Sequence, residues 1–183
     1  MSKIKNEPKH KMALIQQIRG QLEQRAIWLA LLTREAAEKG LDPMEFGDSS
    51  IWKTGCMQGA TLNEGTKNLK MLKKNLFTPG ARLIFEMDLV ESTEDRLSLD
   101  FHYCPLVKGW QKLGCSDEEI SRLCDVAMMG DRGIGRQFGA HLNLAKTIAR
   151  GDDICELRYV SDRVEEDTTM VKDLETATER VHE

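Results

Sequence analysis

The hydrophobic pattern changes its period once along the chain, near residue 80. Between about Lys9 and Lys39, Ile15, Ile18, Leu22, Ala26 and Leu29 recur at steps of three or four. That spacing predicts an amphipathic helix with one apolar stripe. Gly40 is its C-cap candidate, and Pro43 stands where a helix should not continue. The next stretch, EFGDSSIWKTGCMQGATLNEG (45–65), is helix-compatible but punctuated by glycine, so either close packing or a break is expected there. A short helix over 66–76 should end before the turn signal Thr78-Pro79-Gly80.

Beyond that turn the period becomes two. Leu83, Phe85, Met87 and Leu89 alternate with polar residues, ESTEDR makes a turn, and Leu97, Leu99, Phe101 and Tyr103 alternate on the way back. This predicts a β-hairpin over 83–103 with one apolar face. Pro105 suits the first turn of a helix that ends at Gly114. Ser116 and Glu119 form a capping box for another helix, whose stripe is Ile120, Leu123, Cys124 and Ala127. The run GDRGIGRQFG (130–139) interrupts the regularity, and LNLAKTIA and DICELRYV flank Arg150-Gly151-Asp152 as a second hairpin. From about Asp162 the chain is polar and reads as an exposed helix or a disordered tail.

The expected fold class is therefore α+β. A helical segment (1–80) packs on a β-β-α-α-β-β core (81–162) with an antiparallel sheet on helices, and a polar tail (163–183) ends the chain.

Composition narrows the partners. The chain has 183 residues, 40% hydrophobic and 31% charged, with a net charge of −4. Nothing global attracts nucleic acid or an anionic membrane, and the basic KNLKMLKK (67–74) reads as a solvated helix face. The longest apolar run, AIWLALL (26–32), is too short to cross a bilayer, and the charged start lacks the apolar run of a signal peptide. Five cysteines without a CxxC pair suggest reduced thiols and a cytoplasmic protein.

Candidate chemistry centres on LSLDFHYCPLVKGW (97–110). On a strand, Ser98, Asp100, His102 and Cys104 share one face, so His102 could contact Cys104 or Asp100. A neighbouring histidine or the N-terminus of a Pro-led helix would favour a Cys104 thiolate. The same alternation also describes the wet side of an ordinary sheet. Asp131 returns to the buried stripe if the helix from Ser116 runs through Gly130, and it needs a partner or a use there. If the helix stops first, Asp131 caps the next element. Asp125 projects off the stripe and should be solvated. Cys124 reads as core, and Cys155 as core unless it lines a pocket. Trp28, Trp52 and Trp110 read as core or helix-packing residues. His102-x-Cys104 lacks a second ligand pair, so no metal is expected, and GDRGIG lacks the strand–helix context of a dinucleotide site.

FHYCPLVKGWQKLG, SDEEISRLCDVAMMGDRG and KTIARGDDICELRY, in this order, resemble the L-2-amino-thiazoline-4-carboxylic acid hydrolase family. The matched landmarks are Cys104-Pro105, Trp110, Gly114, Cys124, Gly130-Asp131, Gly151 and Cys155. The last hairpin also looks like the end of the small-molecule-binding domain typified by vinyl reductases of bacteriochlorophyll synthesis. That likeness implies a pocket between sheet and helices, and a possible homodimer.

The family resemblance implies hydrolytic opening of a cyclic amidine ring on the path to cysteine, without a cofactor, on a heterocyclic carboxylic acid. Such chemistry needs attack at the amidine carbon, a proton for the leaving nitrogen and a partner for the substrate carboxylate. The expected roles are Cys104 as nucleophile or water-positioning group, with Asp131 or His102 as acid/base. Arg132 or Arg136 would hold the carboxylate, and Cys155 would lie at the binding site. A non-catalytic ligand-binding or sensory module is the alternative, and an interaction protein using the long N-terminal helix is a weaker one.

Overall fold

A computed structural model describes residues 2–164. Helix α1 spans Ala13–Glu38 and ends where Gly40 takes a positive φ of 73°. Asp42 caps α2 (Pro43–Leu62) by accepting from the Met44 and Glu45 amides, so Pro43 opens a helix as well as closing the gap before it. Short helices α3 (Leu69–Asn75) and α4 (Pro79–Phe85) precede the hairpin of β1 (Met87–Ser92) and β2 (Arg96–Phe101). Then come α5 (Pro105–Leu113), α6 (Asp117–Gln137), β3 (Ala140–Leu144), a 3-10 turn at Ile148–Arg150 and β4 (Cys155–Ser161).

The four strands form one antiparallel sheet in the order β1-β2-β4-β3. Register decides its two faces. Leu97 opposes Tyr159, Leu99 opposes Leu157 and Phe101 opposes Cys155, and this apolar face packs on the helices. On the opposite face Ser98 opposes Arg158, and the Arg158 guanidinium pairs with Asp100 at 2.5 Å. The α+β expectation and both hairpins hold, with the first hairpin shorter than its alternation suggested.

Two local expectations give way. Residues 79–85 form α4 rather than the start of a strand. Thr78 accepts from the Ala81 amide, Pro79 sits in the first turn, and Arg19 donates to the Leu83 and Ile84 carbonyls at the far end. A helix with both ends satisfied outweighs a short alternating pattern. Likewise GDRGIGRQ does not interrupt regularity: α6 runs through to Gln137. Gly130 and Gly133 face α2. A Cβ at Gly133 would lie 2.5 Å from the Trp52 carbonyl oxygen, and one at Gly55 would lie 2.0 Å from that of Gly130. Glycine is a poor helix former, yet here it permits two backbones to approach closely. Within α2, the glycines of the 45–65 stretch mark close packing on α6 and no break.

The N-terminal residues are part of the body. The Asn6 side chain pairs with the Cys104 main chain in both directions, donating to its carbonyl at 2.8 Å and accepting from its amide at 2.9 Å. Arg19 is fully buried, paired with Glu86 at 3.0 Å and stacked 4.4 Å over the Tyr103 ring. The polar tail expected over 163–183 lies almost wholly outside the described residues.

Candidate functional site

Sheet and helices enclose a cavity of about 480 Å³. Its walls come from the inner faces of α1, α2, α5 and α6 and from the apolar face of the sheet, through residues such as Leu29, Phe77, Phe101, Met128 and Leu157. Cys104, Cys124, Cys155 and Asp131 all open on it. Among the described residues its charged lining consists of one carboxyl group, Asp131, and one guanidinium, Arg25.

Cys104 reaches this cavity because β2 ends at Phe101. Residues 102 and 103 turn the chain, so the two-residue parity of the strand no longer governs Cys104, which becomes the N-cap residue of α5. His102 goes elsewhere. Its Nε2 lies 2.9 Å from the Asp88 carboxylate, at a separate shallow cleft of about 420 Å³ that also holds Lys9, His10, Arg82 and Glu86. The row of acid, imidazole and thiol is thus divided: Ser98 and Asp100 on the back of the sheet, His102 at the second cleft, Cys104 at the cavity.

Asp131 lies on the buried stripe because α6 continues past Gly130. The Tyr159 hydroxyl donates to its carboxylate at 3.3 Å and to its carbonyl oxygen at 3.2 Å. Burial raises the Asp131 pKa to about 6, against the opposing pull of the Tyr159 hydrogen bond and of the Arg25 and Arg132 charges. The same burial pushes the Tyr159 phenol well above its usual value.

The thiols move the other way from activation. Burial raises Cys104, and the negative charge of Asp131 adds to it, despite amide hydrogen bonds from Val107 and Leu106. Burial also lifts Cys155 to about 12 and Cys124 well above its usual range. A resting thiolate at Cys104, expected from a histidine neighbour and a helix N-terminus, is therefore disfavoured. Cys155 accepts from the Ile148 amide at 3.3 Å, and Cys124 is core and cavity wall at once.

The two arginines expected to hold a substrate carboxylate lie outside the lining. Arg132 sits beside Asp48 and Asp125, with its Nε buried and unpartnered, and Arg136 is exposed in the last turn of α6. Arg25 takes their place at the cavity. Its sequence signal was its position three residues beyond Leu22 on the edge of the apolar stripe. Trp28 is 67% exposed beside the rim rather than core, whereas Trp110 is fully buried and donates to the Ala26 carbonyl. Asp125 pairs with Arg150 at the surface, as its off-stripe position suggested. Among the described residues no cluster of three potential metal ligands occurs, and no helix is long and apolar enough to cross a membrane.

Comparison with known proteins places this geometry. The fold is similar to that of a trafficking protein particle complex subunit 3 from Naegleria fowleri, a structure described as covalently bound to palmitic acid. The TM-score is 0.51 at 13% identity, covering 80% of this chain and 98% of that one. No curated protein matches significantly. The family model for L-2-amino-thiazoline-4-carboxylic acid hydrolase matches residues 19–159, from the second turn of α1 to the Tyr159 that holds Asp131. The chain belongs to the L-2-amino-thiazoline-4-carboxylic acid hydrolase family.

Proposed function

We propose that the chain hydrolyses a C–N bond of a cyclic amidine, with the cavity as its active site and Asp131 as acid/base. The observation that carries this reading is Asp131 itself: a carboxyl group held by Tyr159, beside Cys104, with a pKa raised to about 6. A group that titrates near the working pH both accepts and returns a proton efficiently.

In this reading the Asp131 carboxylate takes a proton from water as the water oxygen bonds to the amidine carbon. The bond from that carbon to the ring nitrogen then breaks. Asp131 returns its proton to the leaving nitrogen, which also takes the remaining water proton as the carbonyl forms. Arg25 suits the substrate carboxylate. Cys104, its thiol raised by burial, positions the water or the ring instead of attacking. His102, Arg132 and Arg136 receive no direct role. Five unpaired cysteines fit a reducing cytoplasm.

The test is ring opening of L-2-amino-thiazoline-4-carboxylic acid by wild type, Asp131→Asn and Cys104→Ser. Asp131→Asn should lower kcat by about 100-fold or more, while Cys104→Ser stays within about tenfold. Undiminished turnover by Asp131→Asn overturns the site, and an inactive wild type overturns the substrate.

The predominantly apolar wall supports a second reading, a non-catalytic binding module for an acyl-like ligand. The fatty acid described in the trafficking subunit is consistent with it. Stabilisation by palmitate that is recovered unchanged, with no hydrolysis of the thiazoline acid, would favour this reading.

A further inference from the structure

The proposed reaction leaves most of the cavity unused. A bare thiazoline acid is a small polar ring, whereas a volume of about 480 Å³ belongs among pockets that enclose drug-sized ligands, roughly 300–1,000 Å³. The remaining wall, including Leu22, Leu29, Phe77, Phe85, Met128 and Leu157, offers water few hydrogen-bond partners. Trp28 and Leu32 also line the cavity while staying 67% and 63% exposed, which marks an apolar rim along α1.

We infer that the substrate class of this cavity is an amidine bearing an extended apolar substituent, with the amidinium on Asp131 and the substituent along the apolar wall. From the hydrolase reading this takes only the premise that an amidine is the recognised group. A planar amidinium presents two N–H donors side by side, matching a carboxylate as a guanidinium does. Tyr159 donates to Oδ1 of Asp131 and anchors the carboxylate for that pairing. Burial outweighs the Arg25 and Arg132 charges at this carboxylate, and an arriving amidinium adds counter-charge in direct contact with it. A fatty acid would instead bring a second negative charge beside Asp131.

The groups acting on Asp131 are Arg25 from α1, Arg132 from α6, Tyr159 from β4 and, at the start of α5, the Cys104 thiol. Asp131, raised to about 6, changes protonation between pH 5 and 7.5. Amidine binding should track it.

Calorimetric titration of the whole chain with acetamidine, octanamidine, octanamide and octanoate tests the inference. At pH 7.5 octanamidine should bind at least about tenfold more tightly than acetamidine and than octanoate, a gap of about 1.4 kcal/mol or more. Asp131→Asn should abolish the preference for octanamidine over octanamide and keep the affinity for octanamide, which reports an intact cavity. Should that variant fail to fold, wild type at pH 5 serves: octanamidine binding weakens while octanamide binding does not. Octanoate binding as tightly as octanamidine, or acetamidine binding equally well, overturns the inference. Tight octanamidine binding without turnover of the thiazoline acid would remove the hydrolase reading and keep this one. Turnover of the thiazoline acid without any gain from the octyl chain would do the reverse.

Discussion

The Tyr159 hydroxyl reaches from the last strand to both the carboxylate and the carbonyl of Asp131, at 3.3 and 3.2 Å, in the second half of α6. Gly135 makes this approach possible, since a Cβ there would lie 3.1 Å from the Tyr159 ring. A carboxyl group is thus held at an apolar cavity by a single side-chain hydrogen bond, and stability and chemistry should oppose each other at this residue.

Asp131→Asn should therefore stabilise the fold at neutral pH while reducing activity. The folded-state pKa of about 6 exceeds the ordinary 3.8, so the folded state binds the proton more tightly. Folding is favoured by this group below 3.8, and that advantage is lost as pH rises through 6. At about 1.4 kcal/mol per factor of ten, the loss is roughly 3 kcal/mol above the window. Urea denaturation should show Asp131→Asn more stable than wild type by on the order of 2 kcal/mol at pH 7.5, with the difference vanishing near pH 3.5. A variant less stable than wild type at both pH values would contradict this account.

The three cavity thiols should resist alkylation in the native protein. Burial raises all of them, so iodoacetamide at pH 7.5 should label Cys104, Cys124 and Cys155 only after unfolding. Peptide mapping checks this, and rapid native labelling of Cys104 would restore it as a nucleophile.

Glycine substitutions should separate packing from propensity. Gly55→Ala places a Cβ 2.0 Å from the Gly130 carbonyl oxygen, so it should destabilise by about 3 kcal/mol or more, or prevent folding. Gly20 lies inside α1 with nothing within 4 Å of its would-be Cβ, and Gly20→Ala should stabilise by roughly 0.5–1 kcal/mol. Thermal melts of the two variants should shift in opposite directions.

Arg19 and Glu86 should behave as one unit. Burial alone would raise the Glu86 carboxyl, but the His10 amide and Arg19 more than offset it and lower its pKa overall. Removing the cation in Arg19→Met leaves a buried charge and should cost about 3–5 kcal/mol. The double variant Arg19→Met/Glu86→Gln should recover part of this, as measured by urea denaturation. A single variant as stable as wild type would show that the pair contributes nothing.

Much of the fold was legible because its determinants are local. The helical period of α1, the Ser116–Glu119 cap, the Pro105 start and Gly114 stop of α5, and the alternation of β2 each act within a few residues, although the buried face of α1 runs through Arg19 and Glu23 while Ile18 of the expected stripe is exposed. The pattern over 79–85 does not reveal its helix because the far end is satisfied by Arg19, sixty and more residues earlier. The course of α6 through its glycines could not be read from one helix, since α2 supplies the backbone those glycines accommodate.

The candidate site divides in the same way. By itself the sequence determined that a thiol stands at a strand-to-helix junction, that Asp131 joins the apolar stripe only if its helix runs through Gly130, and that the ordered landmarks are those of a hydrolase family. Only the tertiary structure decided that His102 parts from Cys104, that Arg25 replaces Arg132 and Arg136 at the cavity, and that Tyr159 holds Asp131. The physical reason is that periodicity assigns a side chain to a face while an element lasts. Where β2 ends at Phe101, and where α1 and α6 meet around a common hollow, direction is set by contacts between segments far apart in the chain.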